Sequence, residues 1–316
     1  MRRIVIYYVI TFAITISLAF GWIYPLYNKA AMGLVSSNMV VLSMSMMMFI
    51  PSIAAILTRL VTKEGLKNTN FKPVHFKQNF RYYLYGWFGP ALLITLGAVV
   101  YFLIDSSDFD PSMSAMIKTL QSQLAALGTQ DITAEAARSM LLLQLVLGVF
   151  ASPLLNFITC LGEEWGWRGY VLPKVNERLS FIPTVLVTGA LWGLWHAPVT
   201  VIGHNYGLGY PGFPYLGIFA MCCFCIAVGV FLSYLTIKSK SCIPAALAHG
   251  SMNGFAAASM MFSVSGGNPF IGPLPTGLIG GSAFLVVALI ICLRMKDAPL
   301  WVSAPTNDTQ NPETTA

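Results

Sequence analysis

Residues 141–170 read LLLQLVLGVFASPLLNFITCLGEEWGWRGY. The run from Leu141 to Leu161 holds no charge and is long enough to cross a bilayer, and it leads directly into Glu163, Glu164 and Arg168. Ionisable groups at the edge of, or inside, a hydrophobic span are costly and by default mark function. The fold class follows from asking whether the rest of the chain shares this character.

It does. Only 9% of the residues are charged while 56% are hydrophobic, and long apolar runs recur throughout. This composition excludes a soluble domain and implies an all-α, polytopic integral membrane bundle. Eight spans are expected, at about 4–24, 39–57, 82–104, 141–161, 182–202, 215–237, 243–264 and 277–294. Residues 1–295 form one membrane-embedded domain in this reading. The tail 296–316, with too little apolar content to fold, is expected to be disordered.

Basic residues set the expected orientation. With eight alternating spans, one side carries Arg2, Arg3, Arg59, Lys63, Lys67, Lys72, Lys77, Arg81, Arg168, Lys174, Arg178, Lys238, Lys240, Arg294 and Lys296. The other side has Lys29, Lys118 and Arg138. By the positive-inside rule the basic side is cytoplasmic, so both termini are expected in the cytosol of a multi-pass cell-membrane protein. The net charge of +6 is then explained by topology and anionic lipid headgroups, with no need for a nucleic-acid partner. A cleavable signal beginning Met1-Arg2-Arg3 is the alternative for the first run, but its apolar stretch exceeds a usual signal core. Residues 105–138 read as an external loop carrying a short amphipathic helix around Ser112–Leu127. The six cysteines lie in or beside spans and read as small packing residues, including Cys222, Cys223 and Cys225.

Two further polar clusters interrupt the spans. Trp192 and His196 lie four apart in the fifth, and His249 and Asn253 lie four apart in the seventh. Four-residue spacing puts each pair on one helix face. Beside each runs a stripe of small residues, Gly189, Gly193 and Ala197 in one case and Ala246, Gly250, Gly254 and Ala258 in the other, which lets a second helix approach closely. In the first cluster Glu164 and Arg168 can pair, while Glu163, about 100° round the helix, has no cation beside it and is free to act as a general base on water. A histidine and an asparagine on one face suit the stabilisation of a developing oxyanion.

The ordered set Glu163-Glu164-xxx-Arg168, Trp192-xxx-His196 and His249-xxx-Asn253 resembles the motifs of the CAAX prenyl protease and bacteriocin-processing (CPBP, Abi) family, which includes the Ras-converting CAAX endopeptidases. The resemblance covers about 140–260. Trp192 stands where the pattern most often has Phe. The resemblance implies an intramembrane endopeptidase acting on a peptide or lipidated-protein substrate. Carried over, Glu163 and His196 activate water, His249 and Asn253 stabilise the oxyanion, and Glu164, Arg168 and Trp192 support the site. It implies no cofactor. The competing chemistry is a zinc protease with Glu163, His196 and His249 as ligands.

Depth constrains this reading. If the fourth span ended at Cys160, Glu163 would sit at the surface while His196 lay about 21 Å into the fifth. A helix running on through Trp165, Trp167 and Tyr170 towards Pro173 would carry Glu163 about 15 Å inward. Two other function classes place polar groups in spans: a transporter, with the Gly/Pro-rich His204–Pro214 as a re-entrant gate, and a non-catalytic immunity or scaffold protein whose clusters only glue helices.

Overall fold

The computed structural model describes residues 1–65, 69–128 and 132–301. The segment 302–316, which holds most of the tail expected to be disordered, and Lys67 lie outside the described residues. Among those described the chain is helical, with isolated β-bridges at Phe109–Ser263 and Asn268–Gly272 and no strand.

Four helices are long and apolar enough to cross a membrane: α1 Arg2–Ala31, α2 Ser37–Val61, α3 Phe76–Ile104 and, later in the chain, Tyr215–Ser239. Between them come α4 Ser114–Ala126, α5 Ala134–Phe150, α6 Ser152–Leu155 and α7, which begins as Phe157–Glu164. Helix α7 continues through a π-helical stretch, Trp165–Val171, into Leu172–Asn176. Next are α8 Phe181–Trp195 and α9 Ala197–Thr200. The fourth long helix, Tyr215–Ser239, is α10. It is followed by α11 Ile243–Phe255 and α12 Ser282–Met295.

The expectation of eight unbroken spans is corrected in three places. The expected span 141–161 is divided among α5, α6 and α7, with breaks at Ala151 and Asn156 beside Pro153. Span 182–202 ends at Trp195, because His196 and Pro198 open a new short helix. Span 243–264 ends at Phe255 and gives way to a 3-10 turn at Ala258–Phe262. Arg168, counted above among loop cations, is buried within the π-helical stretch of α7.

Large apolar side chains such as Leu103, Leu155 and Leu293 are exposed on the outer faces, as expected of a bundle whose solvent is lipid. Inside, Trp167, Tyr170, Trp192, Trp195 and Phe231 join one core. Small residues bring helices together where the site is built. A Cβ on Gly193 would lie 2.4 Å from Cys222 Cα, and one on Gly166 would lie 2.4 Å from the Pro51 carbonyl carbon. These contacts seat α8 against α10 and α7 against α2.

One end of the bundle is tied by a single carboxylate. Glu64 accepts a hydrogen bond from Tyr170 at 3.0 Å and one from Lys174, and its oxygens lie 3.6 Å from Arg3 Nε and 3.8 Å from Arg59 Nη1. Trp301 reaches the same end, its backbone N–H donating to Asn176 O at 3.3 Å and its ring lying 3.9 Å from Lys240 Nζ. At another end Asp108 accepts from Ser263 Oγ and Ser265 N, each at 2.6 Å, which fastens the loop after α3 to the chain beyond α11.

The Glu64 carboxyl is held below the usual glutamate range: burial pushes it up, but the hydrogen bond and charge of Lys174, with Arg59 and Tyr170, more than offset this. Its contribution to stability is therefore full above the unfolded-state value of about 4.3 and is lost as pH falls through the lower folded value. Glu64→Gln is expected to lower the thermal midpoint of the detergent-solubilised protein at pH 7. The gap from wild type should close as pH is lowered below about 4, and thermal melts across a pH series check this.

Candidate functional site

Helix α7 carries both glutamates into the core. Glu163 and Glu164 are 2% and 0% exposed, and Arg168 is 3% exposed. Arg168 Nη1 donates to Glu164 Oε1 at 3.1 Å, the pair expected from their spacing. From α11, His249 Nδ1 lies 2.8 Å from the same oxygen. A carboxylate can only accept, so Nδ1 carries the proton in this contact. Glu164 therefore holds one cation on its own helix and an imidazole from another. Its second oxygen, Oε2, is buried without a hydrogen-bond partner among the described residues.

Glu163 is bonded too, to an indole rather than to a cation. The Trp192 indole N–H donates to its Oε1 at 2.5 Å. The same indole ring lies 4.1 Å beneath the Arg168 guanidinium and meets the His249 ring edge-on at 5.7 Å. Trp192 thus touches Glu163, Arg168 and His249. Its role was legible in the sequence only as an aromatic position. The indole N–H is a donor that phenylalanine, the commoner residue of the motif, does not have.

His196 sits at the end of α8, half-buried. Its Nδ1 is 2.9 Å from the Trp192 carbonyl oxygen and 3.8 Å from Cys225 Sγ. Because a carbonyl only accepts, this bond fixes Nδ1 as the protonated nitrogen and leaves the Nε2 lone pair unbonded. The ring packs against Trp195, whose indole donates to Thr15 Oγ1 on α1 at 2.6 Å. The end of α8 is thereby fixed from the N-terminal helix. Asn253 lies one turn beyond His249, with its Nδ2 3.7 Å from Cys160 Sγ.

Glu163, Trp192, His196, His249 and Asn253 all line one cavity of about 430 Å³. Helix α7 runs unbroken from Phe157 to Asn176, as the depth argument required, and Glu163 stands about 15 Å before the end fastened at Lys174. Trp192, one turn before His196 on α8, reaches Glu163 with its indole N–H.

The ligand set written above for zinc is not the one the geometry gathers. Glu163, Glu164 and His249 have donor atoms within 4.8 Å of one another, and His196 is outside that group. Each of these three also makes a hydrogen bond, Glu164 Oε1 with Arg168 and His249 and Glu163 Oε1 with Trp192, while Glu164 Oε2 keeps no partner among the described residues.

Four polar cavity residues were not read as site residues from the sequence: Ser45, His204, Asn205 and Thr276. His204 was read as part of a possible gate. The available signal was its place in a chain of four histidines, eight residues after His196.

Buried Glu/His pairs facing a cavity within a lipid-exposed helical bundle define an integral membrane protein with a candidate hydrolytic site. Comparison with known proteins gives the same direction. Residues 140–255 match the sequence model of the Type II CAAX prenyl endopeptidase Rce1-like family, so this segment is similar to that family. The chain is also 28% identical over 103 residues to CAAX prenyl protease 2 of Methanococcus maripaludis, a match covering 29% of this chain and 34% of that protein. The chain therefore matches about a third of the length of that curated relative.

The shared use of Glu164 yields a stability test. Glu164→Gln leaves Arg168 buried without its carboxylate and is expected to cost about 3–5 kcal/mol. Adding Arg168→Met should recover more than half of the lost thermal midpoint, because the unpaired charge is removed. A double variant no more stable than Glu164→Gln would refute the pairing.

Proposed function

We propose that this chain is an intramembrane endopeptidase that cleaves a peptide or a prenylated protein with water activated by its own side chains. The observation that carries the reading is the unequal treatment of two adjacent buried glutamates. Glu164 is neutralised by Arg168 and held by His249, whereas Glu163, among the described residues, meets an indole N–H and lines the same cavity as His196. Helix glue has no use for turning the second carboxylate to a cavity, and the polar groups line that one cavity where a transport path would need them in series.

In this mechanism Glu163 and the unbonded Nε2 of His196 orient a water and take its proton as its oxygen attacks the scissile carbonyl carbon. The carbonyl oxygen becomes an oxyanion and accepts hydrogen bonds from the Asn253 amide and from Nε2–H of a doubly protonated His249, whose Nδ1–H Glu164 holds in place. The C–N bond then breaks. The proton taken from water passes to the departing amine nitrogen, leaving a carboxylic acid and an amine, and the acid then gives its proton to the amine to leave a carboxylate and an ammonium group. Glu164, Arg168 and Trp192 position these groups.

The cell-membrane setting with both termini in the cytosol completes the proposal. The basic end fastened by Glu64 faces the cytosol, residues 1–295 act as one domain, and the tail 296–316 is a cytoplasmic extension. The substrate enters among lipids, without nucleic acid or cofactor.

Proteolysis by purified protein in detergent, with a prenylated CAAX peptide and its unprenylated counterpart as substrates, tests this. Glu163→Gln should abolish turnover while leaving the melt close to wild type. Asn253→Ala should lower kcat by about 10²–10³ with little change in KM, the range for loss of one oxyanion donor. Wild-type rates from Glu163→Gln would overturn the assignment.

A further inference from the structure

At the basic end of the bundle, α3, α10 and α12 pack on one another and carry a charged patch that the mechanism does not use. Arg81 on α3 donates from Nη2 to the Tyr82 hydroxyl at 3.0 Å, and its guanidinium carbon lies 4.9 Å from the centre of the Tyr82 ring. That ring meets Tyr85 at 6.1 Å and Tyr234 of α10 at 6.0 Å, both edge-on. Arg294 approaches from α12, close enough that its charge and that of Arg81 both act on the Tyr234 hydroxyl. Lys77 stands one turn before Arg81, and Lys238 one turn beyond Tyr234, each on the same helix face as its neighbour. All four cations are exposed. Among the described residues no carboxylate pairs with Arg81 or Arg294, and Asp297, just past α12, lies against Lys296 instead.

We propose that this patch is a seat for one anionic phospholipid, whose phosphate is held by Arg81 and Arg294 beside the Tyr234 hydroxyl. Charge points to an anion: cations gathered from three helices repel one another unless a negative group lies among them, and guanidinium forks match phosphate oxygens. Depth points to a lipid. Arg81 is five residues inside the start of α3 at Phe76, Tyr234 is five before the end of α10 at Ser239, and Arg294 directly precedes Met295, the last residue of α12. All three therefore lie within about 8 Å of their helix ends, the level at which headgroups meet hydrocarbon and tyrosine rings settle. Exposed Leu84 and Phe88 continue the Arg81 face of α3 away from that end, and exposed Ile290 does the same for Arg294 on α12. Those faces give acyl chains an apolar surface, which a free phosphate ion would not use. A zwitterionic lipid would bring its own ammonium group against four cations, so the seat selects lipids of net negative charge.

Native mass spectrometry of the full chain in detergent, titrated separately with phosphatidylglycerol and with phosphatidylcholine of the same acyl chains, tests the seat. Wild type should bind the anionic lipid about twentyfold or more tightly than the zwitterionic one. One arginine at a charged lipid surface is worth about fivefold in affinity, so Arg294→Gln alone should lower that ratio about fivefold. Adding Arg81→Gln should bring it to about twofold or less. Arg294 makes no hydrogen bond among the described residues, so the single variant keeps the contacts of the fold and decides the matter if melts show the double variant unfolded. Lys29→Gln with Lys118→Gln removes the same charge from the other end and should leave the wild-type ratio. Inorganic phosphate in large excess should leave the bound lipid in place. Equal affinity of wild type for the two lipids, or an undiminished ratio in the folded arginine variants, overturns the seat. So does an equal fall in the Lys29/Lys118 control, or displacement of the lipid by phosphate.

Discussion

The Glu164 carboxylate, shared between Arg168 on its own helix and His249 on α11, is the contact on which the arrangement depends. A buried carboxylate must be paired, and so must a buried guanidinium. Here one oxygen satisfies Arg168 and also fixes the protonated nitrogen of His249, so α7 and α11 are held in a single register. Trp192 extends the contact to α8 by lying under Arg168 while its N–H reaches Glu163. Three helices meet at two adjacent glutamates: Glu164 takes the two strong contacts, from Arg168 and His249, and Glu163 takes the Trp192 N–H on one oxygen.

The surrounding fold supplies what this contact needs. Glycines at 166 and 193 let backbones approach so closely that a Cβ would collide, which sets the helices at the short separation the polar contacts require. The π-helical stretch after Glu164 widens α7 where it passes α2 and keeps Arg168 turned inward. At the basic end, Glu64 fastens α7 through Tyr170 and Lys174 to the N-terminal helix and the end of α2. Trp195, bonded to Thr15, fixes the end of α8 where His196 emerges. The ligand-facing groups are therefore carried on helices tied at more than one point.

Some of this was open to inspection of the sequence. The Glu164–Arg168 pair followed from four-residue spacing, the inward reach of α7 from the mismatch in depth between Glu163 and His196, and the close helix contacts from the small-residue stripes. Local spacing cannot show partners from distant segments, and those are what the reading missed. The His249 bond to Glu164 joins residues 85 apart, and the Trp192 bond to Glu163 joins residues 29 apart. Hydropathy also treats a run as continuous across Pro153 and Pro198. There the chain breaks its helices, because polar neighbours and the missing proline N–H allow the backbone to turn inside the protein. His204 and Thr276 carried no periodic signal at all, since they lie in irregular segments.

The account's central claim is that Glu163 acts on water and is never itself acylated. Single turnover of a peptide substrate in H₂¹⁸O, followed by mass spectrometry of the product and of the 157–176 fragment, tests that most directly. Attack by water predicts one ¹⁸O in the new carboxylate of the product and none in either glutamate. Label in the Glu163 side chain after one turnover would reveal a covalent intermediate on that residue and contradict the account.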